Sequence, residues 1–380
     1  MIPVERPPPA LAHLSAALHE LGNQGLLRVR PVPRLASDLS FCSNDYLGLA
    51  ATGISASLGS VPAGAGASRL VSGERQAHVD LERDVASWLE LPSALVFSSG
   101  YAANLGTIAA LARPGDLVVS DEYNHASIID ACRLSRARIV VTPHLDLAAI
   151  ERALGDARRP GRESEAKAWV VTESYFSMDA DTPDLARLRE ITSRMDAALV
   201  VDEAHALGVF GPDGRGLCAA AGVVPDVMLG TFGKAFGHAG AFAAGCFELT
   251  DWLWNRARSF VFSTGMSPQV AAGARAALAF AVAHPELRER VSGAAGALRA
   301  GLRGLDANIL GHGHIIPWIL GDAAAALRLA EGLQGAGVHV QAIRPPTVPA
   351  GGARLRMTVT ARHDPADIEH ALTAVRRVIR

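Results

Sequence analysis

The stretch AALVVDEAHALG, residues 197–208, decides the fold. A run of apolar and β-branched residues that stops at an acid, with a histidine three positions on, is the pattern of a strand buried on both faces and ending in a polar turn. Such a strand belongs inside a helix-covered parallel sheet, and it leaves Asp202 at the strand end, where a carboxylate meets a ligand without crossing the core. Working outward, the same pattern recurs in SALVFSSG (93–100), GDLVVSDE (115–122), ARIVVTPH (137–144), AWVVTES (168–174) and PDVMLGTFG (225–233), with helical stretches between. This rhythm predicts a mainly parallel sheet with crossover helices, its strands apolar throughout and its polar residues gathered at the strand ends.

The flanks read differently. Leu11, Leu14, Leu18 and Leu21 recur at helical spacing between about residues 10 and 28, and RPVPR (30–34) then breaks the pattern, which predicts an N-terminal helix and arm. From about residue 279 an amphipathic helix (286–305), HIIPWILG (314–321), a further helix, VHVQAI (338–343) and ARLRMTVTA (353–361) predict a smaller α+β C-terminal domain. The expected division is 1–45 for the helix and arm, 46–278 for a large α/β domain and 279–380 for the small one. The Gly-rich stretch 59–73 is the one long punctuated segment of the core.

Composition narrows the function. The 380 residues are 49% hydrophobic, enough for a large core. The 36 basic and 38 acidic residues nearly cancel, so no long-range field points to nucleic acid or an anionic membrane, and a small-molecule partner is expected. Cys42, Cys132, Cys218 and Cys246 are far apart with no zinc-ligand spacing, and they read as buried free thiols in a reducing cytoplasm. HGH (312–314) lacks a third ligand cluster and reads as the turn before a strand, so no metal is expected. The longest apolar run, 271–283, carries Arg275 and falls short of the roughly 20 residues of a membrane span. MIPVERPPPALAHLSAALHE lacks the basic start and apolar run of an export signal, so no export is expected.

Four segments carry chemistry. In GTFGKAFGHAG (230–240), Lys234 follows a strand among glycines and beside Thr231, so a bulky ligand can reach its amine. A lysine that forms a Schiff base needs such a partly desolvated site, whereas an ordinary loop lysine is solvated. It is no Walker A lysine, because Ala235 stands where Ser or Thr is required. Asp202 fits the carboxylate that keeps the pyridine nitrogen of pyridoxal 5'-phosphate (PLP) protonated, and His205 a donor to the phenolic oxygen; a helix cap and a core histidine are the plainer readings. DEAH is also a helicase signature, which fails here without a Walker A loop or a basic surface. In LVFSSGYAANLGTIAAL (95–111) a helix N-terminus suits a phosphate, with Gly100 and Tyr101 completing the cradle. In DEYNHASIIDA (121–131) His125 is placed to stack on a flat ring. GAGASR (64–69) lacks the preceding strand and third glycine of a dinucleotide-binding turn, which disfavours an oxidoreductase. A non-catalytic binding protein would have no need of Lys234 with Asp202 and both histidines.

With FCSNDYLGLA (41–50), FSSGYAANLG (97–106), NHASIIDACRLSRA (124–137), ESYFSMDAD (173–181), VDEAHALGVFGPDGRG (201–216) and GTFGKAFG (230–237) in this order, the chain resembles the α-oxoamine synthases. These are PLP-dependent enzymes of the aspartate-aminotransferase fold, fold type I. The resemblance implies that Lys234 forms the internal aldimine and later moves the Cα proton, that Asp202 holds the pyridine nitrogen and His205 the phenolic oxygen, and that His125 stacks on the ring. It also implies Gly100, Tyr101 and Thr231 at the phosphate, Ser177 against the cofactor, Arg356 at the amino-acid carboxylate, and Arg28, Asn44 and Thr347 near the substrate. A guanidinium meets a carboxylate bidentately, though Arg356 also reads as a solvated charge on an alternating strand. IRPPTVPAGGARLRMTVTA (343–361) resembles the biotin-pathway branch, which joins L-alanine to a pimeloyl thioester of CoA or a carrier protein. The sister reading is glycine or serine with another acyl-CoA. The family is a cytoplasmic homodimer with shared sites, so Ser263 and Thr264 would reach the partner's phosphate. Two departures stand out: His238 replaces a usually small residue, and Ala180 a frequent glycine.

Overall fold

Seven strands line up so that most of their polar ends meet along one edge. In the computed structural model, which describes residues 8–24, 26–28, 39–54, 61–157 and 166–379, the chain divides into an N-terminal unit up to Asp38 and a second unit from Leu39 onward. The N-terminal unit holds a short 3-10 turn, Pro9–Leu11, and a helix, His13–Asn23, shorter than the expected 10–28, with Leu14, Leu18 and Leu21 exposed. The RPVPR segment lies outside the described residues.

The second unit contains strands β1 (Leu39–Ser40), β2 (Ser93–Phe97), β3 (Leu117–Asp121), β4 (Arg138–Thr142), β5 (Ala168–Glu173), β6 (Ala198–Asp202), β7 (Val227–Thr231), β8 (Ala241–Gly245), β9 (Ile315–Gly321), β10 (Val338–His339), β11 (Gln341–Ile343) and β12 (Ala353–Thr358). The large sheet has the order β2-β8-β7-β6-β5-β3-β4, with β8 antiparallel to both of its neighbours and the pairs among β7, β6, β5, β3 and β4 parallel. The mainly parallel sheet read from the sequence is therefore the fold. β8 escaped that reading: AFAAG is mostly Ala and Gly, residues poor in strand propensity, and only its insertion between β2 and β7 makes it a strand. Another correction concerns β4, expected to be buried like the rest: it is the edge strand, and Val141 is 62% exposed.

Successive residues of the inner strands point to opposite faces and feed two cores. Leu199 and Val201 of β6 join one, with Val170, Met228 and Phe242; Val200 joins the other, with Val171, Leu229 and Ala243. A second, antiparallel sheet, β11-β12-β9, is flanked by helices Glu286–Arg303, Ala323–Gly335 and Pro365–Val378, matching the α+β reading, and HGH does form the turn into β9. β1 pairs with β10 in a separate two-stranded ladder. Among the described residues no helix is long and apolar enough to cross a membrane. All four cysteines are free, but only Cys132 and Cys218 are buried; Cys42 is half-buried and Cys246 exposed, which corrects the sequence reading. Ala180 has φ +56°, the left-handed region where glycine is at ease, which gives a physical reason for the glycine usual at that position.

One ion cluster ties the strand ends together. His144, just past β4, places Nδ1 2.8 Å from Asp121 of β3 and Nε2 3.1 Å from Asp181, and its ring stacks on Tyr123. Both ring nitrogens face carboxylates, so both carry protons; against the opposing effect of burial, the two acids raise its pKa from 6.5 to about 10. A folded-state pKa above the unfolded one adds stability that is complete below about pH 6.5 and lost as pH rises towards 10. Urea unfolding of the wild type should therefore show stability falling between pH 7 and 10, and the His144→Gln variant, already less stable at pH 7, should lack that part of the fall. Equal slopes in the two proteins would refute a charged His144.

Candidate active site

The C-terminal ends of the parallel strands assemble the site. Register places Glu173 of β5 opposite Asp202 of β6, with Leu229 of β7 on the other side of Asp202. Each chain segment that leaves this edge delivers a side chain: His125 after β3, Ser177 after β5, His205 after β6 and Lys234 after β7. Parallel strands running in one direction, each followed by a turn, bring residues distant in sequence to a single crevice.

Asp202 is buried and held on both oxygens. Oδ1 accepts from the Ala204 amide at 2.9 Å, and Oδ2 from Asn104 Nδ2 at 2.8 Å. Asn104, on the helix Gly100–Leu111, also donates to Ser127 Oγ, whose hydroxyl lies 2.7 Å from His125 Nδ1. That nitrogen also accepts from the Ser127 amide at 3.3 Å, so it is the unprotonated one and Nε2 carries the hydrogen. The His125 backbone amide donates to Glu173 Oε1 at 2.7 Å, and the histidine keeps part of its surface exposed while its ring is largely desolvated. Glu203, next to Asp202 in sequence, turns the other way. It is fully buried and accepts from Ser174 Oγ and the amides of Leu217 and Cys218, a structural anchor.

Lys234 sits in the Gly233–Lys234 turn with part of its surface open, but its amine is desolvated. Burial lowers its pKa, the Arg356 charge lowers it further, and the carboxylates of Asp202 and Glu173 work in the opposite direction. Glu173, wholly buried, is pushed up by desolvation and by Asp202. Burial, Lys234 and Arg356 hold His205 well below its ordinary value, and burial with Lys234 lowers His125, so both imidazoles are neutral near pH 7. The turn is tight: Gly237 has φ +59°, and a β-carbon there would lie 2.2 Å from the Ala50 amide nitrogen.

Arg356, on β12, is 7% exposed. Its Nε donates to the Ser177 carbonyl at 2.6 Å, and both terminal nitrogens reach Asn44 Oδ1 at 3.3 Å. No ion pair with a carboxylate is found for it among the described residues, whereas Arg354, two residues earlier on the same strand, pairs with Asp179 at 2.7 Å. Arg356 is thus a buried guanidinium held by neutral oxygens, as Arg299 is by the carbonyls of Leu310, Gly311, Gly313 and Ile315, but only Arg356 acts on Lys234.

The structure thus joins Lys234, Asp202, His125, His205, Asn44, Ser177 and Arg356. Gly100 and Thr231 adjoin: a β-carbon on Gly100 would lie 3.8 Å from the threonine side chain. The Gly100 and Tyr101 amides, in the first turn of their helix, have no backbone partner among the described residues, which suits an anion. The side chains expected around that anion are engaged elsewhere. Thr231 Oγ1 donates to the Gly240 carbonyl and accepts from the Gly233 amide, and the Tyr101 hydroxyl donates to Asp130. Thr347 is exposed in the turn after β11 with no hydrogen bond to these groups, and Arg28 is exposed in the N-terminal unit. Sequence reasoning passed over Glu173, Tyr46, Asn104 and Ser127. The strand-end position that marked Asp202 also marks Glu173; nothing local marks the others.

The contrast between the two arginines is testable. Arg354→Leu leaves Asp179 largely buried and unpaired and should cost about 3 kcal/mol. Arg356→Leu removes a cation that has no anion, and its cost in denaturant unfolding should be well under half as large. Equal costs would mean that Arg356 is a structural ion.

Comparison with known proteins agrees with this architecture. The model of the aminotransferase class I and II family matches residues 36–375. An 8-amino-7-oxononanoate synthase from Marinobacter nauticus is 42% identical, covering 92% of each chain, and one from Geobacter sulfurreducens is 43% identical, covering 96% of this chain and 97% of its own. A solved serine palmitoyltransferase from S. paucimobilis with a bound PLP–myriocin aldimine superposes with a TM-score of 0.88 at 28% identity, covering 97% of both chains. The chain, with Lys234 and Asp202 at the end of its large sheet and Arg356 on the smaller one, belongs to the aminotransferase class I and II family.

Proposed function

We propose that this protein is a PLP-dependent acyltransferase that condenses L-alanine with a pimeloyl thioester of CoA or a carrier protein, releasing CO2 and the free thiol and giving 8-amino-7-oxononanoate for biotin synthesis. The observation that carries the reading is the buried Arg356, without an ion pair among the described residues, whose charge acts on a desolvated Lys234 together with the carboxylates of Asp202 and Glu173. A receptor for an amino-acid carboxylate, an amine for an aldehyde and an acid for a pyridine nitrogen meet in one crevice.

The residues fit PLP. Lys234 is the amine that would hold its aldehyde carbon, and Asp202, fixed by Asn104 and the Ala204 amide, would keep the ring nitrogen protonated. The imidazole of His125 offers a face for the ring, His205 Nε2 makes no hydrogen bond among the described residues and is available to the phenolic oxygen, and the Gly100 and Tyr101 amides suit the phosphate, with Thr231 beside them and Ser177 flanking the site. Bound there, the protonated ring acts as an electron sink that acidifies the α-carbon of an attached amino acid. Arg356 and Asn44 orient the substrate carboxylate, and Lys234, its pKa lowered by burial, carries the α-proton. Thr347 and Arg28 are proposed as substrate-binding residues.

A homodimer working in the cytoplasm goes with this reading. Ser263 and Thr264 are exposed beside Phe262, which is 72% exposed, as expected of a surface that reaches a partner's phosphate. The large domain is proposed as 46–278, where the seven-stranded sheet lies, and the small one as 279–380, with 1–45 as helix and arm. The likeness to serine palmitoyltransferase supports the sister reading, serine or glycine with another acyl-CoA, less well, because identity there is 28% against 42–43% for the synthases.

The purified protein should take up PLP with visible absorbance, and Lys234→Ala should lose the covalent signature and turnover by roughly 10³-fold or more. Alanine with pimeloyl-CoA should yield the aminoketone and CO2, while glycine with acetyl-CoA should not; the reverse preference would select the sister reading. Arg356→Lys, which gives up the bidentate fork, should raise KM for alanine by about tenfold or more with a smaller change in kcat. An unchanged KM would place the carboxylate elsewhere.

A further inference from the structure

The hydroxyl of Tyr46 lies between two groups of the site. Tyr46 is fully buried, 2.7 Å from His205 Nδ1 and 3.1 Å from Asn44 Oδ1, and its ring packs against His314 at 4.0 Å between centroids. Burial raises the tyrosine's pKa, so at neutral pH the oxygen carries its single hydrogen. That hydrogen serves one acceptor at a time. Asn44 Oδ1 already faces both terminal nitrogens of Arg356, and these occupy its two lone pairs. His205 Nδ1, the nearer acceptor, has no other hydrogen-bond partner among the described residues. Donation to His205 satisfies every acceptor; donation to Asn44 crowds three donors onto one oxygen.

We propose that Tyr46 is a positioning residue: by donating to His205 Nδ1 it holds that imidazole as the Nε2–H tautomer, and through Asn44 it ties the tautomer to the carboxylate receptor Arg356. The chain Arg356–Asn44–Tyr46–His205 links the group that receives an amino-acid carboxylate to the group that faces the cofactor's phenolic oxygen. The ring nitrogen left protonated is the one free to donate into the site. This role for Nε2 rests on the function proposed above, whereas the tautomer itself is a property of the chain alone.

The test is nitrogen NMR on the cofactor-free protein labelled at histidine nitrogens, with His205 assigned by its loss in His205→Gln. In the wild type, His205 should show a protonated Nε2 and a bare Nδ1. In Tyr46→Phe the two signals should shift towards each other as the tautomers mix. In Asn44→Leu they should keep the wild-type separation, because the Tyr46 hydroxyl then has a single acceptor. A proton on Nδ1 in the wild type, unchanged signals in Tyr46→Phe, or convergence in Asn44→Leu would each overturn the proposal, and the first and third apply even if Tyr46→Phe does not fold. Titrating the same wild-type sample with PLP separates the two ideas: failure to bind defeats the cofactor reading and leaves the tautomer result standing.

Discussion

An amine kept out of water beside two acids is the interaction on which the rest of this structure depends. Burial favours the neutral form of Lys234, whereas Asp202 and Glu173 favour its charged form. Neither acid can move away. Asp202 is pinned by Asn104 and a backbone amide, and Glu173 by the His125 amide, and both sit on paired strands in the middle of the sheet. Rigid strands hold such a constellation more accurately than loops would.

The same edge has a cost in stability. Among the described residues Arg356 is buried without an ion pair, Glu173 without a cation bonded to it, and His205 among positive neighbours. Uncompensated buried groups of this kind destabilise a fold. Away from the site several buried charges are paired: Arg69 lies between Glu74 and Glu82, Arg354 on Asp179, and His144 between Asp121 and Asp181. Unpaired buried charge is not confined to the site, since Arg299 is held by backbone carbonyls and Glu203 by a hydroxyl and two amides; what sets Arg356 apart is its action on Lys234.

Not all polar residues at the edge act directly. Glu203 and Asp202 are neighbours in sequence with opposite duties, because successive residues leaving a strand face opposite sides. Tyr46, Asn104 and Ser127 touch the functional groups from behind and determine which nitrogen of each histidine carries a hydrogen.

The sequence by itself determined the parallel sheet, the strand-end positions of Asp202, His125 and Lys234, and the strands of the small antiparallel sheet, because apolar runs and the turns that end them are local signals. Strand β8 and the exposure of β4 were invisible to it, since an Ala-rich segment becomes a strand, and an apolar one an edge, only through its neighbours. The burial of Arg356 against Asn44 and the contact of Tyr46 with His205, 159 residues away, belong to tertiary structure alone. A side chain's partner across the fold depends on which strands lie side by side, and no local periodicity encodes that choice.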